Sequence, residues 1–370
     1  MLFFLLLLVV LMITDMEIAP LGAYQEDYMS RKQNNCIKGI FILLILMSHY
    51  TQYCDLGGPF DAAYWAARMH IGQGVVAMFL FYSGYGMMES IRKKGFPYVR
   101  RIPVFRFLKV WWNFFLAVLC YLVMDLILKI HYPGTHILLS FVGYKSLGNS
   151  DWYMFAIFVL YLLTFLAFFL VKWKDGMAGY IAGTVLMFLL TTGAVYWEIR
   201  MGRSPWTYNT MLIYPLGMAF SLLRPKVEAL LTKDGLIYGA VFLAVMLVYM
   251  YSYIHRGDRF MIYTVWVYAF TAAILLLTMK VSFKSWVLEW FGKNLFWVYI
   301  LQRIPMILLE HFGMIDRHRY FCFVIVFITT ICLTLLFDRT VGKATNDLFA
   351  KLDSRTAAGQ SNGSPQGTDK

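Results

Sequence analysis

Lys38 and His49 are the most informative pair of side chains in this sequence, because an ammonium group can bind an anion and an imidazole can move a proton. Both lie in one long apolar stretch, with His49 eleven positions after Lys38. On an α-helix, eleven steps come to within about 20° of three full turns, so both side chains share one face, about 16 Å apart along the axis. Ionisable side chains inside a bilayer are costly and usually functional. The helix therefore predicts a cation near one membrane surface and an imidazole about half a membrane away.

His49 is the candidate general base. Imidazole accepts and returns a proton near neutral pH, so His49 could deprotonate an acceptor hydroxyl for attack on a thioester carbonyl. A covalent acyl-imidazole is the variant of this mechanism. Lys38 could neutralise part of the charge of an anionic molecule that donates the acyl group. The structural alternatives are a buried histidine hydrogen-bonded to a neighbouring helix and an interfacial lysine that extends to the headgroups.

The elements that hold these residues are membrane helices. The chain has 370 residues, of which 60% are hydrophobic and 15% charged, and its mean hydropathy is +0.61. Soluble domains carry about a quarter charged residues. We therefore expect an all-α, polytopic membrane protein with about ten transmembrane helices of about 20 residues each. The predicted segments lie near residues 37–54, 71–88, 107–128, 152–171, 178–197, 208–223, 235–254, 261–279, 294–310 and 319–337.

A further apolar run, Leu2–Ile13, precedes these segments. It lacks a cationic start and a clear small-residue cleavage site, so it does not fit a signal peptide. At about a dozen residues it is either an extra helix or an interfacial segment. The predicted organisation is thus an N-terminal apolar segment and linker (1–34), a transmembrane domain (35–340) and a polar tail (341–370). The end of the tail, Ala357–Lys370, has a composition typical of disorder.

Charge placement predicts the orientation in the cell membrane. Most of the 33 Lys and Arg residues lie in loops on the side that contains the residues before position 37. The positive-inside rule therefore places both ends of the ten-helix core in the cytoplasm. The same loops account for the net charge of +12, and no basic recognition motif indicates nucleic acid binding. The histidines show no metal-ligand spacing, so no metal site is predicted.

A dense cationic cluster, Arg100, Arg101, Arg106 and Lys109, lies at the start of the third predicted segment. Arg106 and Lys109 are one turn apart on one helix face. Such a cluster suits the phosphate and pyrophosphate groups of coenzyme A. Topogenic charge and contact with lipid headgroups are the alternative, especially for Arg100. For Arg106 and Lys109, just inside an apolar helix, we favour a donor site.

Several segments, taken in order, resemble motifs of the membrane-bound acyltransferase-3 family. Asn35–His49 resembles its signature, in which an Arg or Lys is followed after ten residues by a His and preceded by an Asp three positions earlier. Four later segments resemble the aromatic-rich Ser-Gly-Phe motif, the Arg-x-x-Arg motif, a Trp-aromatic helix start and a Gly-x-x-Ser…Tyr-Leu segment. In that order they are Phe79–Tyr85, Arg100–Lys109, Asp151–Met154 and Phe291–Leu301. The resemblance covers most of residues 35–310.

Three positions depart from the family pattern. Asn35 stands where the family usually has Asp, so any carboxylate role there is lost or reduced to hydrogen bonding. Lys109 replaces the second Arg of the helix-3 pair and offers a point charge instead of a planar fork. Gln302 stands where many members have a His, so a role for a second histidine is unsupported.

The resemblance implies an O-acyltransferase that modifies carbohydrates, with acetyl-CoA or another acyl-CoA as co-substrate and no permanently bound cofactor. Its partners would be the acyl-CoA, a carbohydrate or glycolipid acceptor and membrane lipid. His49 would be the catalytic base. The implied substrate and donor residues are Asn35, Lys38, Ser83, Arg101, Arg106, Lys109 and Trp152. Ser83 and Trp152 have structural alternatives, a small residue at a helix crossing and an aromatic belt residue.

Two other classes of function compete with this interpretation. A multi-pass transporter or flippase could use His49, Glu198 and Asp125 as a proton relay. However, the sequence shows no internal repeat and no paired interrupted helices, which transporters often have. Asp125 also has Lys129 one turn away, so a local ion pair is its default role. A scaffold of an export complex would leave His49 and Arg106 replaceable.

Overall fold

Helices form most of the described chain. The computed structural model describes residues 1–20, 22–172, 176–257 and 259–361, with side chains as far as Ser354. Its helices are α1 (Leu2–Ile13), α2 (Arg31–Tyr50), α3 (Ala62–Ile71), α4 (Gly74–Lys94), α5 (Phe96–Ile102), α6 (Lys109–Ile127), α7 (Gly134–Ser140), α8 (Trp152–Leu170), α9 (Gly176–Arg200), α10 (Pro205–Tyr208), α11 (Ile213–Leu231), α12 (Gly235–His255), α13 (Phe260–Lys280), α14 (Trp286–Lys293), α15 (Leu295–Leu301), α16 (Arg303–His311), α17 (Met314–Arg317), α18 (Arg319–Phe337) and α19 (Lys343–Ser361). Two π-helical turns, Pro103–Leu108 and Asp338–Gly342, join α5 to α6 and α18 to α19.

Six helical stretches of the described residues are long and apolar enough to cross a membrane. They are Phe96–Ile127, Trp152–Leu170, Gly176–Arg200, Gly235–His255, Phe260–Lys280 and Arg319–Ser354. The chain is therefore an all-α protein with several membrane helices, but the predicted count of about ten is not reached by this criterion. Helices α2, α4 and α11 are of similar length, yet their charged and polar side chains lower their hydropathy.

Helix α2 is held in the bundle by a close crossing with α14. A Cβ atom added at Gly39 would lie 1.9 Å from the carbonyl oxygen of Leu288, and one added at Gly292 would lie 1.9 Å from that of Asn35. Only glycine lets the two backbones approach this closely. The crossing buries Asn35 and fixes the helix that carries Lys38 and His49.

The start of α2 is attached to a short antiparallel ribbon. Strand β1 (Met16–Ile18) pairs with β2 (Val281–Phe283). Gln33 donates from Nε2 to the carbonyl of Val281 (3.1 Å) and accepts at Oε1 from the backbone N–H of Phe283 (3.0 Å). The ribbon thus marks one end of the bundle, which we call the Lys38 end. The opposite end, where α2 finishes, is the His49 end.

Helix α1 lies against the bundle between these two ends. The backbone N–H of Leu2 donates to the carbonyl of Phe60 at the His49 end (3.1 Å), whereas the chain enters the ribbon three residues after Ile13. The ring of Phe4 meets that of Phe323 at 4.4 Å. The apolar run Leu2–Ile13 is therefore a short helix of the bundle that runs antiparallel to α2.

The predicted span 294–310 is broken at Gln302 into α15 and α16. Pro305 has no N–H to bond the carbonyl of Leu301, which interrupts the helical hydrogen bonds. Next to the interrupted position, the hydroxyl of Tyr121 donates to the carbonyl of Ile300 at 2.7 Å. Gln302 and Arg303 therefore lie at the junction of α15 and α16.

The last helix continues the chain beyond the predicted domain. Thr345 donates from Oγ1 to Asn113 Oδ1 at 2.8 Å, and Asp353 forms an ion pair with Arg101. The segment predicted as a polar tail is thus helical through Ser361. Residues 362–370, which make up most of the predicted disordered end, lie outside the described residues.

Candidate functional site

His49 lies in the last turn of α2 and lines a cavity of about 720 Å³ at the His49 end. The walls come from segments far apart in the chain, among them the end of α2, helix α3, the start of α4, the segment before α8, helix α10, the loop between α12 and α13, and the start of α16. Polar and aromatic side chains form much of the lining, including Ser48, Gln52, Asn149, Ser150, Trp152 and Trp206. Cavities of about 300–1,000 Å³ are typical of small-molecule sites.

Two polar groups contact the imidazole at the same nitrogen. Gln302 Nε2 lies 3.0 Å from His49 Nδ1, and Ser150 Oγ lies 3.4 Å from it. Gln302 Nε2 also donates to the carbonyl oxygen of Tyr299 at 3.0 Å. A carbonyl can only accept, so the amide nitrogen, not its oxygen, faces this side, and it donates to Nδ1 as well. His49 Nδ1 therefore carries the lone pair, which leaves the ring neutral and able to accept a proton.

Arg303 holds Ser150 in place beside His49. Its Nε donates to Ser150 Oγ at 3.0 Å, while Nη1 donates to Tyr53 Oη at 3.1 Å and Nη2 to Gln52 Oε1 at 2.7 Å. All three partners are neutral. Because its Oγ accepts from Arg303, the Ser150 hydroxyl proton is free to point toward His49 Nδ1.

A second, smaller cavity of about 360 Å³ adjoins the first and shares four lining residues with it. The shared residues are Ser146, Asp151, Trp152 and Trp206. Trp206 is 54% exposed. Burial raises the pKa of the Asp151 carboxyl, and backbone hydrogen bonds at Asp151 and Trp152, with the charges of Arg203 and Arg303, oppose that effect only in part. The two cavities form one groove with two indole rings along its middle.

Lys38 lies on the same helix, about two turns inside the end opposite His49. Its ammonium is 5.6 Å from the centre of the Tyr82 ring, a cation–π contact. The Tyr82 hydroxyl is buried and has no hydrogen-bond partner among the described residues. Buried polar groups are normally paired, so Tyr82 and Lys38 together mark a place in the interior where a polar ligand group would be satisfied.

The predicted donor cations have different surroundings. Arg106 donates from Nε to Tyr98 Oη at 2.7 Å. Arg101 is bound to Asp353 and lies over the ring of Phe105, and Lys109 begins α6, three residues after Arg106. The charge of Arg101 is therefore neutralised by a carboxylate, whereas Arg106, which binds a neutral hydroxyl, and Lys109 keep their positive charge.

Of the predicted site residues, the cavity brings together His49 and Trp152. Ser83 lies elsewhere, with its Oγ 3.4 Å from Tyr161 Oη, and Asn35 lies at the α2–α14 crossing. Lys38, Arg101, Arg106 and Lys109 do not line the cavity either. Sequence reasoning missed Ser150, Arg303, Arg68 and Arg256 as cavity residues, and it named Gln302 only as a departure from a motif.

The residues proposed for a proton relay do not join His49. Glu198 accepts from Thr207 Oγ1 at 2.6 Å and lies 3.7 Å from Arg203, and neither Glu198 nor Asp125 lines the larger cavity. Asp125 is buried in α6, and one of its oxygens has no partner in the part of the chain that the structure describes. Within that same part, no three His, Cys, Asp or Glu side chains converge as metal ligands.

Comparison with known proteins agrees with this architecture. The model of the acyltransferase-3 family, described as an acyltransferase domain, matches residues 33–337, which is most of the chain. A shorter similarity links the chain to the haem-binding subunit MsrQ of a protein-methionine-sulfoxide reductase from Caulobacter vibrioides, with 38% identity over 87 residues. That match covers 20% of this chain and 39% of the relative, so it says nothing of what this chain binds. No solved structure matches the chain.

Proposed function

The chain belongs to the acyltransferase-3 family, and from that premise we propose that it transfers an acetyl group from cytoplasmic acetyl-CoA to a hydroxyl of a cell-surface carbohydrate or glycolipid. The observation that carries the proposal is the neutral His49, with its Nδ1 lone pair beside Ser150, in a polar cavity large enough for a sugar. This is the protonation state that a general base needs before it acts.

The reaction needs one proton transfer and one acyl transfer. The acceptor hydroxyl gives its proton to His49 Nδ1, either directly or through the Ser150 hydroxyl, as its oxygen attacks the thioester carbonyl. The carbon–sulfur bond then breaks, and the leaving thiolate takes the proton from the imidazole. The products are the ester and free coenzyme A.

The donor is assigned to the Lys38 end on the basis of charge. By the positive-inside rule this end faces the cytoplasm, where acyl-CoA is available. Arg106 and Lys109 there suit the phosphates of coenzyme A. Lys38 and the Tyr82 hydroxyl, which has no hydrogen-bond partner among the described residues, offer polar contacts further along α2. The offset of about 16 Å between Lys38 and His49 along a helix would be spanned by the pantetheine arm and the acyl group.

Donor binding can be tested without knowledge of the acceptor. We would purify the protein in detergent and measure Tm with acetyl-CoA, succinyl-CoA and free coenzyme A. A hundredfold excess over Kd stabilises the folded state by about 2.7 kcal/mol. We expect the rise in Tm to be lost in Arg106→Ala and kept in His49→Ala, while acetyl transfer in membranes falls by about 10²–10⁴-fold in His49→Ala.

Lys93→Ala is the matched control, because Lys93 is an exposed cation near the same end that the donor site does not use. It should keep both the Tm rise and acetyl transfer. Undiminished transfer in His49→Ala would exclude the proposed base. If no acyl-CoA changed the Tm of the wild type, a transporter would become the better hypothesis.

A further inference from the structure

The larger cavity carries more positive charge than its own residues neutralise. Three guanidinium groups line it, those of Arg68, Arg256 and Arg303, and Asp151 is the one carboxylate among its described lining residues. Within the described part of the chain, none of the three arginines forms an ion pair with a carboxylate. Like charges that lie close together and are partly removed from water are unfavourable unless a partner of opposite sign compensates them.

Each of the three arginines is held by neutral groups. Arg68 donates from Nε to Ser48 Oγ at 3.1 Å and lies 4.9 Å from the Trp65 ring. Arg256 donates from Nη2 to the carbonyl of Met69 at 3.0 Å and lies 4.2 Å from the Trp266 ring. These contacts orient the guanidinium planes without cancelling their charge. A planar, oriented guanidinium is suited to bind carboxylate or phosphate oxygens.

The second cavity extends the same charge pattern along the groove. Lys145 lines it, is exposed and has no ion pair in the described part of the chain. Arg203 also lines it but lies near Glu198, at 3.7 Å. A neutral sugar would need only the indole rings and amide groups of this groove. The uncompensated arginines call for a ligand with negative charge.

We propose, on the basis of the function proposed above, that the acceptor is an anionic carbohydrate. Its phosphate or carboxylate binds to Arg68, Arg256 and Arg303 while its hydroxyl lies at His49. The anion compensates the charge of the cavity, and the same contacts set which hydroxyl reaches the base. Sugar phosphates and uronic acids share this chemistry, and the experiment separates them.

The test is a comparison of three sugars as ligands of the purified, full-length protein. Glucose 1-phosphate supplies a phosphate, glucuronate a carboxylate and glucose no charge, all at equal ionic strength. We expect a concentration-dependent rise in Tm with at least one charged sugar and none with glucose. The charged sugar that gives the larger shift identifies the anionic group. Equal shifts for all three sugars, or no shift with either charged sugar, would overturn the proposal.

Variants assign the effect to the cavity. Arg68→Gln and Arg256→Gln should each lose most of the Tm rise, and Arg68→Lys, which keeps the charge, should retain part of it. Arg200→Gln is the control, because Arg200 is an exposed arginine at the same end of the molecule that lines neither cavity. A shift that persists in both glutamine variants would also contradict the proposal.

For the wild type and for every variant, a separate melt with acetyl-CoA alone is the reference measurement. A Tm rise with acetyl-CoA in Arg68→Gln shows that the variant is folded and that its donor site is intact. The absence of a Tm rise with acetyl-CoA in the wild type would count against the proposed function. Loss of the charged-sugar effect alone would count against the anionic acceptor, so the two failures are distinguishable.

Discussion

At the scale of single residues, the partners of His49 define its chemistry more closely than its type does. Gln302, which departs from the family pattern, contacts Nδ1 directly at 3.0 Å, and Ser150 approaches the same atom. An amide in place of a second histidine can hold the ring but cannot take up a proton. The base chemistry of this chain would therefore rest on one imidazole, with a serine hydroxyl as the group that links it to the cavity.

Asp151 gives a pH-dependent prediction at the same scale. Burial raises the pKa of its carboxyl in the folded state, whereas the unfolded chain titrates near the ordinary value of about 4. The folded state thus binds the proton more readily. Its contribution to stability is present at low pH and is lost as the pH rises from about 4 through the raised pKa.

We therefore expect Asp151→Asn to have a higher Tm than the wild type at about pH 7.5, with the difference shrinking toward about pH 4. Thermal melts of both proteins across this pH range measure the effect. A variant that is less stable than the wild type at the higher pH would mean that backbone hydrogen bonds to the carboxylate, together with the charges of Arg203 and Arg303, outweigh burial.

At the scale of elements, glycines decide how closely the helices approach. Besides the α2–α14 crossing, α4 and α11 meet at two glycines. A Cβ atom at Gly84 would lie 2.0 Å from the carbonyl oxygen of Tyr214, and one at Gly217 would lie 2.2 Å from that of Phe81. These two crossings position α2 and α4, the helices of His49, Lys38 and Tyr82, although neither meets the hydropathy criterion for a membrane span.

Gly84→Ala should destabilise the protein, because the new methyl group meets a backbone carbonyl that cannot move without separating α4 from α11. Overpacking of this kind costs about 1–3 kcal/mol. Gly86→Ala is the control on the same helix, since a Cβ there meets nothing within 4 Å. It should be neutral, or stabilising by up to about 1 kcal/mol through helix propensity. Equal Tm values for the two variants would contradict the close crossing.

At the scale of the whole molecule, the two ends differ in what they offer a ligand. The His49 end holds a groove with the His49 imidazole, two indole rings and three arginines that form no ion pair with a carboxylate in the described part of the chain. The Lys38 end holds the ribbon, the cations at the start of α6 and the Tyr82 hydroxyl, which has no hydrogen-bond partner among the described residues. A reaction between a soluble cytoplasmic donor and an exported acceptor requires such a division, provided that the two ends face opposite sides of the membrane.

Orientation can be measured by cysteine labelling in intact cells. Lys145 and Lys93 are exposed and lie at the His49 end and the Lys38 end, respectively. The positive-inside rule predicts that a membrane-impermeant maleimide labels Lys145→Cys in intact cells, and Lys93→Cys only after permeabilisation. The wild type is the control for its own cysteines, of which Cys36, Cys54 and Cys322 are buried. The reverse pattern would place the cavity in the cytoplasm.

The sequence by itself determined the family, the helical class and the presence of Lys38 and His49 on one helix. These conclusions follow from composition, local periodicity and motif order, which do not depend on distant contacts. The predicted count of about ten membrane spans is not confirmed, since six helical stretches of the described residues meet the hydropathy criterion. Helices buried by other helices can carry polar residues, and Pro305 breaks a run that hydropathy alone treats as continuous.

Only the tertiary structure decided what surrounds His49. Ser150 and Gln302 are 101 and 253 positions away from it in the sequence, and Arg68, Arg256 and Arg303 reach the same cavity from three separate segments. No local pattern brings such residues together, because their proximity depends on how the glycine crossings and the break at Gln302 pack the helices. The excess of positive charge in the cavity, and with it the anionic acceptor that we propose, is a property of that packing.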